Sequence, residues 1–487
     1  MGLKKSFFEE YRIEIFLFLS ALFIRLPFFF RDYIDQDEST FILMGQSIAD
    51  GHLPYDYLWD LKPPLLFYFF ALIEKTFPHS FIAIRFTGVL IVFLSGLLLI
   101  RITRKAGLKN GFLIALGYII LSSEFGSLQG VMSEHFAVFF LLLAFDFLLR
   151  EQKHFNFLIT GLLLGCAVLC KLNYAYAIAA LLIFYFISEL KKEDITKTFV
   201  AATLVLSGIL VSIFLTAFPF IVSGKIHLFI NSVFLAPLEY SRATNYTSFE
   251  KFKTTWWIIL LIVIVCFFAI RASNEENKRF VWKLIAILVG TVYTFYSSGI
   301  INGHYLVQLY PFLLMILFGV IFRKNMQLKL GLAAAIVLLL SFESIWEYYR
   351  IASNLKHFAE YRPTFEIVRE LKKRNLQNDK IFFADYHIGY WLVDQYPLTK
   401  STTHPSNIAR PYLFKYFNDS SKSSLEDLKF IMEKIRPDVI VSKYNKLNFF
   451  ADSSAENLFF KENLSQNFGE VYKDSIDKIF IWKRKND

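Results

Sequence analysis

The densest group of potentially reactive side chains lies early in the chain, at Asp35, Asp37 and Glu38. Three carboxylates within four residues repel one another, so a cation, nearby basic side chains or a raised pKa must offset that cost. A carboxylate held in this way is a candidate general base for the hydroxyl or amine of an acceptor molecule. The alternative is a solvated acidic loop that begins a helix, because Asp and Glu are favoured at helix N-termini.

Lys62 is the next candidate, in the run D-L-K-P-P at 60–64. A lysine just before an interfacial helix is a compact charge with three donors, which suits it to hold a phosphate near lipid head groups. The alternative is an interfacial lysine whose stem lies on apolar surface while its ammonium group stays in water. Arg25 and Arg85 lie within or near the ends of apolar runs, where an unpaired charge is costly. Pairing with a lipid phosphate or with the loop carboxylates would explain both, and snorkelling is the alternative.

Further candidates open two later apolar runs. Glu134 and His135 follow Ser133, and His304 precedes Tyr305. Glu134 could converge with the Asp37 loop, although a lone carboxylate there is more often a helix-terminal residue. His304 could donate to a phosphate or bind a metal ion, although a lone histidine at a helix end is more often an ordinary capping residue.

The composition indicates which kind of element must position these residues. Of 487 residues, 55% are hydrophobic and 19% are charged, whereas about a quarter are charged in an ordinary soluble domain. The apolar residues form continuous runs of the roughly 20 residues that a helix needs to cross a bilayer. The net charge is +10, and many of the Lys and Arg residues form short clusters between these runs. Such clusters are typical of cytoplasmic loops. The sequence therefore predicts a polytopic α-helical membrane protein and gives no reason to expect a nucleic-acid partner.

We predict about eleven transmembrane helices with the N-terminus in the cytoplasm, because the Lys/Arg clusters then share one side. An odd number of helices places 31–80, 223–253 and 347–487 on the other face, together with all the candidate residues above. The region 156–190 has an alternative interpretation as one long broken helix. The predicted spans are 13–30, 81–100, 111–128, 133–149, 156–172, 174–190, 198–222, 254–270, 281–298, 304–322 and 328–346.

Two domains are predicted. Residues 1–346 form the membrane domain, in which the external loop 31–80 carries interfacial helices at 38–50 and 63–77. Residues 347–487 form a small soluble α/β domain on the non-cytoplasmic side. Its predicted helices are 363–375 and 424–435, the latter opening with Ser424 and Asp427 at capping-box spacing. Its predicted strands are 380–385, 437–442 and 477–483.

Several motifs resemble those of bacterial GT-C glycosyltransferases, the group that contains protein O-mannosyltransferases and the aminoarabinose transferase of lipid A. The most specific are D-x-D-E at 35–38, G-H-L-P-Y-D at 51–56 and D-L-K-P-P-L at 60–65. The later S-E-H at 133–135 and H-Y-L-V-Q-L-Y-P at 304–311 also resemble motifs of that family. The similarity covers about 1–320, and the tail matches only in being a soluble domain after the last helix.

The resemblance implies that a sugar is transferred, with inversion, from a polyprenyl-phosphate donor to a lipid, glycan or protein acceptor at the outer face of the bacterial inner membrane. It implies Asp37 as catalytic base, Glu38 as its acidic neighbour and Glu134 as a second acidic residue. Lys62 would hold the donor phosphate. Arg25, Arg85 and His304 are weaker candidates for binding the phosphate or supporting the site. The chain departs from the family in having Glu at 134 and an extra Asp35. The resemblance therefore does not decide whether the site uses a divalent metal ion. The candidate ligands for such an ion are Asp37, Glu134 and His135.

Two other function classes are alternatives for a polytopic helical chain. A transporter or lipid flippase places charges near the bilayer midplane and often shows repeated halves. Here the apolar runs are nearly free of interior charge, with Lys171 as the main exception, which disfavours transport. A membrane scaffold with a C-terminal receptor domain would leave the acidic loop incidental. Asp37→Asn discriminates, because it should abolish sugar transfer and leave a transporter or a scaffold largely intact.

Overall fold

The computed structural model describes residues 11–150, 153–190, 194–243, 246–298, 301–324, 328–354, 362–417, 421–476 and 478–485. Over these ranges the chain is mostly helical, with one small sheet near its C-terminal end. Its contacts divide it into two compact units. Unit 1 comprises 1–29, 84–218 and 244–349, and unit 2 comprises 30–83, 219–243 and 350–487. This division places the loop 31–80 in the same unit as the C-terminal tail, which the sequence did not predict.

The helices of the first half of the chain are α1 Arg12–Arg25, α2 Gln36–Ala49, α3 Pro64–Thr76, α4 Phe81–Lys105, α5 Gly111–Leu121, α6 Ser133–Leu148, α7 His154–Cys170, α8 Tyr174–Leu190 and α9 Ile195–Val222. Those up to residue 353 are α10 Ile226–Ile230, α11 Ala236–Ala243, α12 Ser248–Ala272, α13 Lys278–Ser298, α14 Tyr310–Leu314, α15 Leu330–Leu340 and α16 Phe342–Ser353. The tail contains α17 Pro363–Lys373, α18 Gly389–Leu392, α19 Ser424–Lys429 and α20 Ala455–Asn467, with strands β1 Ile381–Phe383, β2 Val439–Ser442, β3 Phe468–Asp474 and β4 Ile479–Arg484.

Within the described ranges, five helices are long and apolar enough to cross a bilayer: 12–30, 81–105, 195–222, 248–272 and 278–298. A sixth would be the pair α15 and α16, which bends by 71° at Ser341 where the sequence predicted one continuous span. Shorter apolar helices lie at 111–121, 154–170, 174–190 and 310–321. These helices indicate a multi-pass membrane protein, but the predicted eleven spans are not confirmed. The region 156–190 is two helices rather than one broken helix.

Close backbone contact between helices in unit 1 depends on glycine. A Cβ atom added to Gly161 would lie 2.0 Å from the carbonyl oxygen of Val205, and one added to Gly208 would lie 2.4 Å from that of Leu158. The contact between α7 and α9 therefore requires glycine on both sides. Small residues of this kind let helix backbones approach closely in membranes, where dispersion and packing hold helices together.

Unit 2 joins the two loop helices to the tail. A Cβ atom at Gly45 would lie 2.7 Å from the Cβ of Phe70, so α2 and α3 pack closely at that glycine. Trp391 of α18 donates from Nε1 to Oε2 of Glu74 at 3.2 Å. Asp32 accepts from the backbone N–H of Thr364 at 2.7 Å and so satisfies a donor in the first turn of α17. The loop helices predicted at 38–50 and 63–77 are confirmed as α2 and α3.

The tail is an α/β fold whose sheet has the strand order β1-β2-β4-β3. β1 pairs with β2 in parallel, and the other two pairings are antiparallel. The three predicted strands correspond to β1, β2 and β4, although residue 477 lies outside the described residues. β3 was missed because its side chains alternate poorly between buried and exposed positions. The predicted cap of α19 is one residue wrong, since Ser423 accepts from the N–H of Glu426 at 3.2 Å.

Candidate active site

The acidic motif begins α2. Asp35 is the N-cap of this helix, and its side chain accepts from the backbone N–H of Asp37 at 2.8 Å. An N-cap aspartate supplies an acceptor to a backbone donor that has no partner within the helix. Asp35 thus fits the helix-start interpretation, and its bond fixes the backbone of Asp37 in the first turn. Glu38 follows Asp37 and is only 1% exposed.

Asp37 is paired with a lysine and a histidine. Lys62 donates from Nζ to Oδ1 of Asp37 at 2.7 Å, and Nε2 of His404 lies 3.4 Å from the same oxygen. The side chains of Asp37 and Lys62 retain 17% and 20% exposure, and that of His404 retains 10%. All three belong to unit 2. A carboxylate, an ammonium group and an imidazole therefore meet at one site that is largely buried yet still open to solvent.

Neighbouring contacts fix the two basic partners. Lys62 lies before α3, which starts at Pro64 because proline needs no helical N–H partner at that position. Its Nζ is 3.8 Å from Oδ2 of Asp60 and 5.4 Å from the centre of the Phe41 ring. His404 accepts at Nδ1 from the backbone N–H of Ser406 at 3.2 Å. That bond leaves the proton on Nε2, so the ring donates toward Asp37.

The charges around Asp37 keep it ionised. Burial by itself raises the pKa of an aspartate, but the Lys62 ammonium group and the His404 ring outweigh burial and hold the pKa of Asp37 well below its usual range. An ionised carboxylate can accept a proton, as a general base must. The positive charge of Lys62 lies beside it, 2.7 Å away.

A second histidine adjoins the site in the neutral state. Thr40 donates its hydroxyl to the carbonyl oxygen of Gln36 at 2.8 Å, and His387 Nε2 lies 3.3 Å from the same hydroxyl oxygen. Because the Thr40 proton is already used, His387 must be the donor. Burial and the nearby His404 lower the pKa of His387 to about 3. His387 thus joins the tail to α2 without adding charge beside Asp37.

A second carboxylate–lysine–histidine group lies in unit 1. Lys171 donates from Nζ to Oε1 of Glu134, and His304 Nε2 is 3.8 Å from the same oxygen. Ser133 donates to the other oxygen of Glu134 at 2.9 Å. The Glu134 side chain is fully buried. His304 lies in a short 3₁₀ turn at Gly303–Gln308, so the prediction that it opens a long helix is wrong.

The remaining candidates in unit 1 form hydrogen bonds to the backbone. Arg25 donates to the carbonyl oxygens of Leu128 at 2.7 Å and Gly130 at 2.6 Å, and Arg85 donates to that of Phe28. Both arginines are 1% exposed. His135 accepts at Nδ1 from the N–H of Met132 at 3.1 Å and donates from Nε2 to the Ser122 carbonyl oxygen at 2.9 Å. These contacts explain how the charges of Arg25 and Arg85 are satisfied at the ends of apolar helices.

The candidate metal ligands do not form a cluster in the part of the chain that the structure describes. No group of three or more His, Cys, Asp or Glu side chains there is arranged to hold a metal ion. Asp37 faces Lys62, and both ring nitrogens of His135 are hydrogen-bonded to the backbone. Around Asp37, the positive charge comes from Lys62, with His404 as a further donor.

The sequence named two members of each group but not the third. The unpredicted members are His404 beside Asp37 and Lys171 beside Glu134. His404 lies in the irregular tail segment T-H-P-S at 403–406, and a histidine in a polar loop is a weak signal for a site. Lys171 carried a stronger signal, because a charge inside an apolar run calls for an opposite charge nearby.

Comparison with known families supports the motif analysis. Residues 61–218 match the model of the dolichyl-phosphate-mannose-protein mannosyltransferase family, a family of the GT-C superfamily. The GT-C resemblance is confirmed. Among the candidates, Lys62, Arg85, Glu134 and His135 lie inside the matched segment. The match indicates a glycosyltransferase of the GT-C type. No curated protein matches the chain.

Proposed function

We propose that this chain is an inverting glycosyltransferase that moves a sugar from a polyprenyl-phosphate donor to a lipid, glycan or protein acceptor. The proposed location is the outer face of a bacterial inner membrane, with the N-terminus in the cytoplasm. The observation that carries the proposal is the contact between Lys62, in the matched segment, and an ionised Asp37. A base and a phosphate-binding cation are the two groups that such a transfer needs.

The reaction follows from these two groups. The acceptor hydroxyl or amine attacks the anomeric carbon of the donor from the face opposite the phosphate, and a new bond forms there with inversion. The bond between that carbon and the phosphate oxygen breaks, and the electron pair leaves with polyprenyl phosphate. Asp37 takes the acceptor proton. Lys62 stabilises the negative charge that develops on the leaving phosphate.

The ion pair gives Lys62 a further role. When the donor reacts, the Lys62 ammonium group turns from Asp37 toward the phosphate, because that phosphodiester gains a second negative charge as its bond to the sugar breaks. Asp37 then loses its cationic neighbour and keeps only the His404 N–H as a donor, so its pKa rises. A raised pKa makes the carboxylate a better base as the phosphate leaves. Departure of the phosphate and activation of the base are coupled in this proposal through one lysine.

The other candidates receive supporting roles. Full burial of Glu134 favours holding unit 1 together, through Lys171 and His304, over direct contact with substrate. Arg25 and Arg85 would act on the donor phosphate only by exchanging some of their carbonyl partners for it. A divalent cation, if bound, would supply further positive charge at the leaving phosphate.

The test is sugar transfer from a panel of radiolabelled polyprenyl-phosphate sugars in membranes that contain the wild-type chain or Asp37→Asn. We expect transfer from one class of donor by the wild type, and a loss of about 10²–10⁴-fold in the variant at equal protein level. Lys434→Met, at an exposed tail position, serves as the matched control and should transfer normally. Equal rates for wild type and Asp37→Asn would contradict the proposal.

A further inference from the structure

Unit 2 contains a cleft of about 330 Å³ beside the start of α2. This volume is at the lower end of the range of about 300–1,000 Å³ that small-molecule sites occupy. Both parts of unit 2 contribute to the cleft, since residues of the loop and residues of the tail line it. The polar lining residues are Arg31, Asp32, Tyr33, Gln36, Arg362, Asp385, Tyr386, His387, Lys443 and Asn448.

The two carboxylates in the lining are used by the fold. Asp32 accepts from the N–H groups of Tyr33 at 2.8 Å and Thr364 at 2.7 Å. Asp385 accepts from the N–H of Lys443 at 2.8 Å and from the side-chain amide of Asn448. Burial also raises the pKa of Asp385. Their negative charge is thus directed at backbone and amide donors rather than at the cleft.

The basic side chains give the cleft its positive character. Arg31, Arg362 and Lys443 line it, and His387 adds no charge because its pKa is lowered to about 3. Arginine suits the planar, two-pronged recognition of phosphate and carboxylate groups, and lysine acts as a point charge toward them. Tyr33 also lines the cleft, and its hydroxyl remains neutral because burial and nearby carboxylates raise its pKa.

One lining residue is held in a strained backbone conformation. Tyr386 has a φ angle of 58°, in the left-handed region that bulky residues rarely adopt. Such a residue persists only where the surrounding structure fixes it, and these residues cluster at ligand sites. The bond from the Tyr386 hydroxyl to the carbonyl oxygen of Lys478 at 3.4 Å helps to hold its ring in place.

Several residues that line the cleft are neighbours of the candidate active-site residues. Gln36 precedes Asp37 in the chain, and Pro405 follows His404. His387 lines the cleft and bonds to Thr40, one turn after Asp37. A ligand in the cleft would therefore lie beside the first turn of the helix that carries the proposed base.

We propose that this cleft binds an anionic, hydroxyl-bearing group of the acceptor, a sugar that carries a phosphate or a carboxylate. The proposal deepens and rests on the proposed function, because it places the acceptor next to Asp37. Arg31, Arg362 and Lys443 neutralise the anion, and Tyr33 and Tyr386 offer ring faces and hydroxyls to the sugar. The tail thereby selects the acceptor.

The test measures binding of glucose 1-phosphate, glucuronate and methyl glucoside to the purified full-length chain in detergent, by saturation-transfer NMR and without any donor. The variant is Lys443→Met, which keeps the stem and the backbone N–H bonded to Asp385. The matched control is Lys434→Met, exposed and outside the cleft. Losing one charge-assisted hydrogen bond should weaken binding by about tenfold or more.

Binding of either anionic sugar, weakened in Lys443→Met and unchanged in Lys434→Met, supports the proposal and names the anionic group. Equal binding of methyl glucoside, unchanged binding in Lys443→Met, or binding of none of the three sugars overturns it. Asp37→Asn loses sugar transfer but keeps Arg31, Arg362 and Lys443, so the anionic sugar should still bind to it. A failure of binding is in this way distinct from a failure of catalysis by Asp37.

Discussion

Each of the two units contains a carboxylate, a lysine and a histidine in a similar arrangement. Asp37 meets Lys62 and His404 in unit 2, and Glu134 meets Lys171 and His304 in unit 1. In each group the nitrogen atoms of the lysine and the histidine lie nearest to the same carboxylate oxygen. The Asp37 side chain is 17% exposed, whereas that of Glu134 is fully buried. Residue type alone therefore does not separate a reactive group from a supporting one.

The difference in exposure changes the energetics of the pairs. A partly exposed pair can exchange one partner for a substrate group, because water and the incoming ligand compensate the lost contact. A fully buried pair cannot do so cheaply, because removing one partner leaves an uncompensated charge in the interior. We infer that the Asp37 group is arranged for exchange with ligands and the Glu134 group for stability.

The largest expected effect is on stability in unit 1. Lys171→Met leaves the buried carboxylate of Glu134 without its ammonium partner, which costs about 3–5 kcal/mol in comparable buried pairs. The melting temperature of the purified protein in detergent should fall sharply, together with its yield. Adding Glu134→Gln to Lys171→Met removes the uncompensated charge and should recover most of the loss. A single variant as stable as wild type would remove the supporting role of this pair.

The second effect is on catalysis in unit 2. Lys62→Met removes the cation proposed for the leaving phosphate, and transfer should fall by about 10²-fold, in line with the loss of one charge-stabilising donor. Its melting temperature should change little, because partly exposed pairs contribute only about 0–1 kcal/mol. Steady-state kinetics and a melting curve on the same preparation provide the check. If Lys62→Met lowers the melting temperature as much as Lys171→Met does, the proposed difference between the two groups is contradicted.

The pH dependence of kcat/KM tests the electrostatic environment of Asp37. Because the pKa of Asp37 is held low, the base stays ionised as the pH falls, and kcat/KM should lose its base only below the ordinary aspartate value of about 4. The stability that the ion pair contributes is likewise present above that value and is lost as the pH falls through the lowered pKa. In Lys62→Met the acidic limb of the residual activity should move to higher pH. His404→Gln should move it in the same direction by less, and an unmoved limb in Lys62→Met would contradict the electrostatic account.

The smallest expected effect concerns the bond that joins the loop to the tail within unit 2. Asp32→Ala removes the acceptor for the Thr364 N–H at the start of α17. Loss of a capping acceptor costs about 0.5–2 kcal/mol. A modest fall in melting temperature should result, with Asp452→Ala, an exposed tail aspartate, as the matched control. Equal melting curves for the two variants would show that this bond adds no stability.

The parts of the fold that local pattern determines could be predicted. The loop helices α2 and α3 followed from Pro64 and from apolar spacing, and β1, β2 and β4 followed from short β-branched and aromatic runs. The eleven predicted spans are not confirmed, because α5, α7 and α8 are shorter than the roughly 20 residues of a bilayer crossing and α15 ends before Ser341. Helix ends depend on tertiary contacts that hydropathy does not report.

The candidate site was predictable only within one loop. Asp37 and Lys62 belong to the same predicted external loop, 31–80, and the bond between them adds an electrostatic link that the sequence did not predict. His404 comes from the tail, far along the chain, and no spacing rule connects it to Asp37. The grouping of loop and tail into one unit arises from contacts such as those of Asp32 with Thr364 and Trp391 with Glu74. A single sequence does not encode such contacts in a readable pattern.

The most direct test of the central claim is the transfer rate per folded molecule of Asp37→Asn and Glu134→Gln, measured side by side with the wild type and the same donor. Both substitutions replace a carboxylate by its amide and leave the shape nearly unchanged. We expect Asp37→Asn to lose about 10³-fold, while Glu134→Gln stays within about tenfold of wild type, a difference of at most about 1.4 kcal/mol in the barrier. An active Asp37→Asn, or a folded Glu134→Gln that is as inactive as Asp37→Asn, would contradict the account.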